Sequence, residues 1–361
     1  MTGPAITEAQ VLDALRSVMD PDLHRDIVAL GFIRNMKIEG SVVGFDVNLT
    51  TPACPVKDRL RDQSRQAVLT KVPGATDVRV NMTAEVRRAQ APDTSALKTV
   101  KNIIAVGSGK GGVGKSTVAA NIAASLASSG ARVGLLDADI YGPSIPIMMQ
   151  TGTPAEPLAD NTIQPGMAHG VRLMSMGYLT PGDQPLIWRG PMAHKALQQC
   201  LLGVNWGELD YLVVDLPPGT GDVHLTLVQT VPVTGAVIVS TPQDVGLQIA
   251  MKTLRMLQQT KVPILGIVEN MSYYVCPHCG ERDELFGHGG AKAAAESMKI
   301  PFLGEIPLDI AIRRYSDRGT PVSIAEPDSP SGLAFREITG KLAQQVSMRA
   351  FKNIALSIVE E

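Results

Sequence analysis

Cysteine is scarce in this chain, with only Cys54, Cys200, Cys276 and Cys279 among 361 residues. So few thiols exclude a disulfide scaffold and leave metal binding, redox chemistry or plain packing in a reducing compartment. An excess of basic charge is also lacking: 33 Lys and Arg against 35 Asp and Glu give a formal net charge of −2. A nucleic-acid partner normally shows as a basic domain or stripe, so none is expected. No apolar run approaches the roughly 20 residues of a membrane span. The first ten residues lack the basic start and apolar centre of a secretory signal, which makes the cytoplasm the expected location and excludes a membrane partner. What is present suits a globular protein, since hydrophobic residues reach 44% and charged residues 19%.

The chain divides by rhythm. Residues 1–86 read as a small α+β domain. It opens with a helix after Thr7, whose cap is supported by Gln10 three residues later. Strand-like runs Phe32–Ile38 and Ser41–Leu49 flank the turn pair Glu39-Gly40, a second helix starts near Pro55, and a strand at Val78–Met82 closes the unit. Residues 87–98 are polar, contain Pro92 and read as a linker. From 99 to 361, short apolar runs alternate with helical stretches. The strands are expected at Ile103–Val106, Val133–Leu136, Leu212–Val214, Ala236–Val239, Ile264–Val268 and Phe302–Ile306, and Gly152–Gly166 reads as loop. Such alternation predicts an α/β domain with a doubly wound, mostly parallel sheet.

Gly109-Lys110-Gly111-Gly112-Val113-Gly114-Lys115-Ser116 satisfies the P-loop pattern G-x-x-x-x-G-K-S/T, and it falls between an expected strand and an expected helix starting at Thr117. Glycines let backbone N–H groups curl around phosphates, and the helix N-terminus favours the anion. Lys115 is placed to reach the β- and γ-phosphates of ATP, and the Ser116 hydroxyl to bind Mg²⁺. Leu212-Val213-Val214-Asp215 is an apolar strand ending in a carboxylate, so Asp215 is the second expected Mg²⁺ partner.

Cys276-Pro277-His278-Cys279-Gly280 has the two-residue gap that lets two thiolates bind one metal. No second CxxC exists in the chain, so a four-thiolate site needs a two-fold dimer. A 4Fe-4S cluster and Zn²⁺ both accept four thiolates. A redox dithiol, a permanent zinc knuckle and a labile bridging cluster all stay open at this point. The segment after Cys279 starts a helix poorly, which weighs against the dithiol. Cys200, in an apolar helical run, reads as core.

Lys110 turns the P-loop into the deviant Walker A form, K-G-G-V-G-K-S. With Asp137-Ala138-Asp139-Ile140-Tyr141-Gly142-Pro143-Ser144, Trp188-Arg189-Gly190-Pro191-Met192, Asp215–Asp222, Gly266–Ser272 and the CxxC, residues 99–345 resemble the Mrp/ApbC family of iron–sulfur cluster carrier ATPases. Asp20-Pro21-Asp22 and Thr50-Thr51-Pro52-Ala53-Cys54-Pro55 make the first domain resemble a SufT/PaaD-type iron–sulfur assembly domain.

The resemblance implies a slow ATPase that works as a homodimer, with Lys110 reaching the partner's phosphates. It also implies that Asp139 orients the attacking water, the Gly219 N–H senses the γ-phosphate, Asn270 reads adenine and Pro307 stacks on the base. A cluster-assembly scaffold would donate the 4Fe-4S cluster, and apo iron–sulfur proteins would receive it. Cys54, ahead of a helix, is expected to have a lowered pKa and to serve as an auxiliary thiol. The alternatives are a positioning ATPase like MinD or ParA, raised by the amphipathic stretch Val346–Ala355, and a zinc-bridged nucleotide-dependent scaffold.

Overall fold

The computed structural model describes residues 6–89, 97–140, 142–150, 152–159, 162–179, 190–219 and 222–359. Several sequence motifs fall partly outside them: linker residues 90–96, Tyr141, Trp188, Arg189, Thr220 and Gly221. The chain forms two compact units, residues 1–87 with 347–361, and residues 88–346.

In the first unit, Thr7 caps helix Glu8–Leu15 through the reciprocal bonds of a capping box with Gln10. Strand Val42–Leu49 alternates buried and half-buried residues, as one covered sheet face requires. It pairs antiparallel with Ile33–Glu39 and parallel with Asp77–Ala84. The parallel pair is joined by helix Lys57–Lys71, which buries Leu60, Ser64 and Val68. The helix begins two residues after Pro55, with Val56 at its cap position. The ring of Phe351 meets Phe32 edge-on at 6.5 Å between centroids. That contact belongs to the first unit, although the sequence groups residue 351 with the later domain.

The second unit is built on an eight-stranded sheet. From one edge its order is Gly166–Ala168, Val171–Ser175, Val133–Asp137, Leu209–Asp215, Val100–Ser108, Gly235–Ser240, Ile264–Glu269 and Phe302–Glu305. All pairings are parallel except that between Gly166–Ala168 and Val171–Ser175. Strands Val133–Asp137, Leu209–Asp215 and Gly235–Ser240 are buried along their whole length, which explains their near-continuous Val, Ile and Leu runs.

The P-loop strand Val100–Ser108 lies between Leu209–Asp215 and Gly235–Ser240, so the order of the chain reverses at its C-terminal end. Ligands of doubly wound sheets bind at such a switch point. Near the start of this unit, Ala89 N donates to Asn102 Oδ1 at 3.2 Å, and Leu97 is fully buried in the core.

Candidate functional site

The phosphate cradle follows from the sheet register. Asp137 and Asp215 are direct neighbours on adjacent parallel strands, and Asp215 also pairs with Val106, two residues before the strand's end at Ser108. Helix Lys115–Ser128 starts at Gly114, whose φ of 80° suits glycine. A Cβ at this position would collide with the Asn270 side-chain nitrogen. The loop is therefore closed against Asn270, whose Nδ2 donates to the Val113 carbonyl at 2.8 Å.

Lys115 is only 6% exposed. Its Nζ donates to Asp215 Oδ1 at 2.5 Å and to Ser116 Oγ at 3.2 Å, and lies 4.0 Å from Asp139 Oδ2. Burial pushes the Asp215 carboxyl up, and the Lys115 ammonium opposes that. Asp215 Oδ2 is buried without a hydrogen-bond partner. An orphaned carboxylate oxygen beside a serine hydroxyl is a hard-oxygen donor set that fits Mg²⁺.

Asp137 anchors the loop that carries Asp139. Its Oδ1 accepts from Asp139 N at 3.1 Å, and its Oδ2 accepts from Ile145 N at 3.2 Å and Ser175 Oγ at 3.1 Å. Burial and the nearby Asp215 raise its pKa to about 7, against the pull of these three donors. Gly142 N donates to Asp139 Oδ1 at 3.3 Å. The sequence offered no reason to expect Ser175 here, because its strand was not recognised.

Two expected phosphate contacts have partners within the chain. Gly219 N donates to Ser108 O at 2.9 Å, so sensing a γ-phosphate requires that bond to open. Lys110 Nζ donates to Gln243 Oε1 at 3.1 Å, a contact with no signal in the motif. Pro307 lines a groove of about 440 Å³ with Tyr274, Val275, Pro277, Leu308 and Ile310.

The CxxC lies in the turn of a hairpin, not at the start of a helix. Strand Tyr274–Val275 pairs antiparallel with Arg282–Asp283. Cys276 N donates to Glu281 O at 2.9 Å, Gly280 N donates to Cys276 O at 2.8 Å, and Gly280 has a φ of 74°. Hydrogen bonds from the backbone N–H groups of Cys279 and His278 lower the Cys276 thiol pKa. Cys279 is exposed. Cys200 is buried in the core, and burial raises its thiol to about 12.

Cys54 departs from expectation. Burial raises its thiol to about 11, with Asp20 and Asp22 adding to the shift, while the N–H of Val56 and Arg59 oppose it. The nearby helix start does not win, because desolvation of a half-buried thiolate and two carboxylates outweigh one backbone donor.

The fold and cradle define a P-loop nucleotide-binding protein. Family comparison is more specific. Residues 99–343 match the family described as NUBPL iron-transfer P-loop NTPase, and residues 8–82 match an iron-sulfur cluster assembly protein family. The chain belongs to the NUBPL iron-transfer P-loop NTPase family. It is 52% identical over 346 residues to the iron-sulfur cluster carrier protein of Deinococcus radiodurans, covering 95% of this chain and 97% of that one. The carrier protein of the same name in Escherichia coli is 41% identical over 346 residues, covering 95% and 94%.

Among solved structures, an ADP-bound nucleotide-binding protein from Archaeoglobus fulgidus is 42% identical with a TM-score of 0.57, covering 66% of this chain and 93% of that one. The cell division ATPase MinD of Pyrococcus furiosus has a TM-score of 0.52 at 23% identity, covering 67% and 98%, and shows the fold alone. The relatives named as carriers favour that class over positioning ATPases. Among the described residues no helix is long and apolar enough to cross a membrane.

Proposed function

We propose that this protein is a cytoplasmic ATP-hydrolysing carrier that holds a 4Fe-4S cluster between two copies of its CxxC hairpin and passes it to apoproteins. The observation that carries the reading is the Cys276–Cys279 knuckle: two thiols two residues apart on a hairpin turn closed by Cys276 N donating to Glu281 O, with Cys279 exposed. Backbone donors aimed at a sulfur favour the thiolate, which is the form that ligates metal. A second copy supplies the other two thiolates, and the cluster is cargo, exchanged thiolate for thiolate with a recipient.

At the cradle, Gly109–Thr117 enclose the phosphates of ATP, Lys115 contacts the β- and γ-phosphates, and Asn270 and Pro307 border the base. Ser116 and Asp215 would hold Mg²⁺, which neutralises charge on the phosphate oxygens when bound. Lys115 must leave Asp215 Oδ1 to meet phosphate. Asp139 orients water for in-line attack on the γ-phosphorus. The bond to the β–γ bridging oxygen then breaks, giving ADP and phosphate. Lys110, released from Gln243, stabilises that charge in the partner's site, so hydrolysis depends on dimerisation.

Anaerobic reconstitution tests the reading by iron, sulfide and molecular mass. Four irons and four sulfides per dimer, lost in Cys276→Ala, are expected. Zinc at one ion per dimer would instead make the protein a scaffold, and an iron-free monomer would leave only a nucleotide hydrolase.

A further inference from the structure

Among the residues that tie the cysteine hairpin to the body of its unit is one that no motif includes. Arg282 pairs directly with Val275, the residue before Cys276. Its guanidinium carbon lies 3.9 Å from the centre of the Tyr273 ring. Its Nη2 is 2.7 Å from His288 Nε2, 3.6 Å from Glu305 Oε2 and 3.9 Å from Glu284 Oε1. Glu269, His288 and Glu305 bring ligand-type atoms within 4.8 Å of one another. A metal is not needed there. The Arg282 guanidinium already supplies the positive charge, and Glu269 is taken up by Ser272 Oγ, Gly289 N and Ala291 N at 2.7, 3.1 and 2.8 Å.

The same residues lead back to the phosphate cradle over a short stretch of chain. Asn270 bonds the P-loop carbonyl of Val113, and Cys276 comes six positions later. Between them Met271 has a φ of 56°, a left-handed conformation that a non-glycine residue seldom adopts. Ser272 N donates to Ile306 O at 2.9 Å, and Leu308 N donates to Tyr273 O at 2.7 Å. Asn270–Tyr273 is therefore laced to the chain on one side, in contact with the P-loop at its start, and covered by Arg282 at its end.

We infer that Arg282 is a positioning residue through which nucleotide occupancy of the P-loop reaches the CxxC thiols. A phosphate that reshapes Val113 and Gly114 must move Asn270. The strained Met271 joint and the Tyr273–Arg282 stack pass that shift to the hairpin. The inference gives the proposed carrier a means of loosening its cargo, and it rests on that reading for its purpose. Its test reads the thiols directly and needs no cluster.

The full-length apo-protein is alkylated with iodoacetamide with and without MgADP, and Cys276 and Cys279 are followed by peptide mass spectrometry. A nucleotide-induced change of about fivefold is expected in the wild type, the size of a modest coupling energy. In Arg282→Ala the ratio should fall to about one while ATP hydrolysis persists. Arg282→Lys should lie between, because lysine keeps the charge but loses the planar stack. A merely structural residue would change thermal stability and leave that ratio intact. An unchanged ratio in Arg282→Ala, or no nucleotide effect in the wild type, overturns the inference. Failure of the carrier reading appears separately, as absence of iron in the reconstituted wild type.

Discussion

The phosphate cradle and the cysteine hairpin are opposites in construction. The cradle is buried and nearly complete within one chain: Lys115 and Asp215 form an ion pair at 2.5 Å, and Asp137 is held by three donors. The hairpin is short, leaves Cys279 exposed and Cys276 half-buried, and in the proposed carrier supplies two of four ligands. Burial gives a charged group strength and a fixed position, as the switch-point geometry needs for phosphate. Exposure gives access, which a thiolate needs if it is to hand its ligand to another protein. A similar contrast separates the thiols, for Cys276 is lowered by backbone donors and Cys54 is raised to about 11 by burial.

The comparison breaks most sharply at Lys115. Lys115→Ala should cut phosphate release to about a thousandth of wild type. It should also cost the second unit about 3 kcal/mol in denaturant melts, because Asp215 is left buried and unpaired. Cluster loading at the hairpin should survive, and its loss would mean the two sites are not built independently.

Gly114→Ala should come next. The added methyl meets Asn270 at a backbone φ of 80°, and a displaced P-loop lowers kcat/KM for ATP about a hundredfold, measured by steady-state kinetics. Asp137→Asn should be milder, since the amide oxygen can still accept from Ile145 N and Ser175 Oγ while its nitrogen, facing the Asp139 N–H, releases the loop bearing Asp139. A roughly tenfold fall in kcat with MgADP affinity kept is expected, corresponding to about 1.4 kcal/mol of barrier. Equal losses in both would give Asp137 a binding role instead.

The smallest effect sharpens the thiol contrast. With its pKa near 11, Cys54 is thiolate in roughly one molecule per thousand at pH 8. Its alkylation should trail that of Cys276 at neutral pH and still be rising above pH 10. Comparable neutral rates at the two thiols would contradict the burial of Cys54. Correspondingly, Cys54→Ser should leave cluster transfer close to wild type.

Much of the second unit was legible because its inner strands are buried on both faces. Runs such as Leu212–Val214 and Ile264–Val268 therefore carry unbroken apolar signals. The strand Val171–Ser175 was missed, for its five residues include an arginine and lack a long apolar run. Helix Ile310–Asp317 also went unread, and of helix Pro330–Val359 only the amphipathic stretch Val346–Ala355 was recognised. The P-loop was readable because phosphate binding needs glycines and a lysine at fixed spacing along one loop. Gln243 and Ser175 were not, since each acts on a residue distant in the chain, and Arg282 was not, since it belongs to no motif.

The order of residues determined the nucleotide motif, the paired thiols and the alternation that makes a parallel sheet, because each depends on near neighbours in the chain. Tertiary structure decided the rest: which carboxylate anchors which loop, that Cys54 is a raised rather than a lowered thiol, and that the chain near residue 351 packs on Phe32. Those outcomes depend on desolvation and on contacts between distant segments, which exist only after the chain has closed on itself.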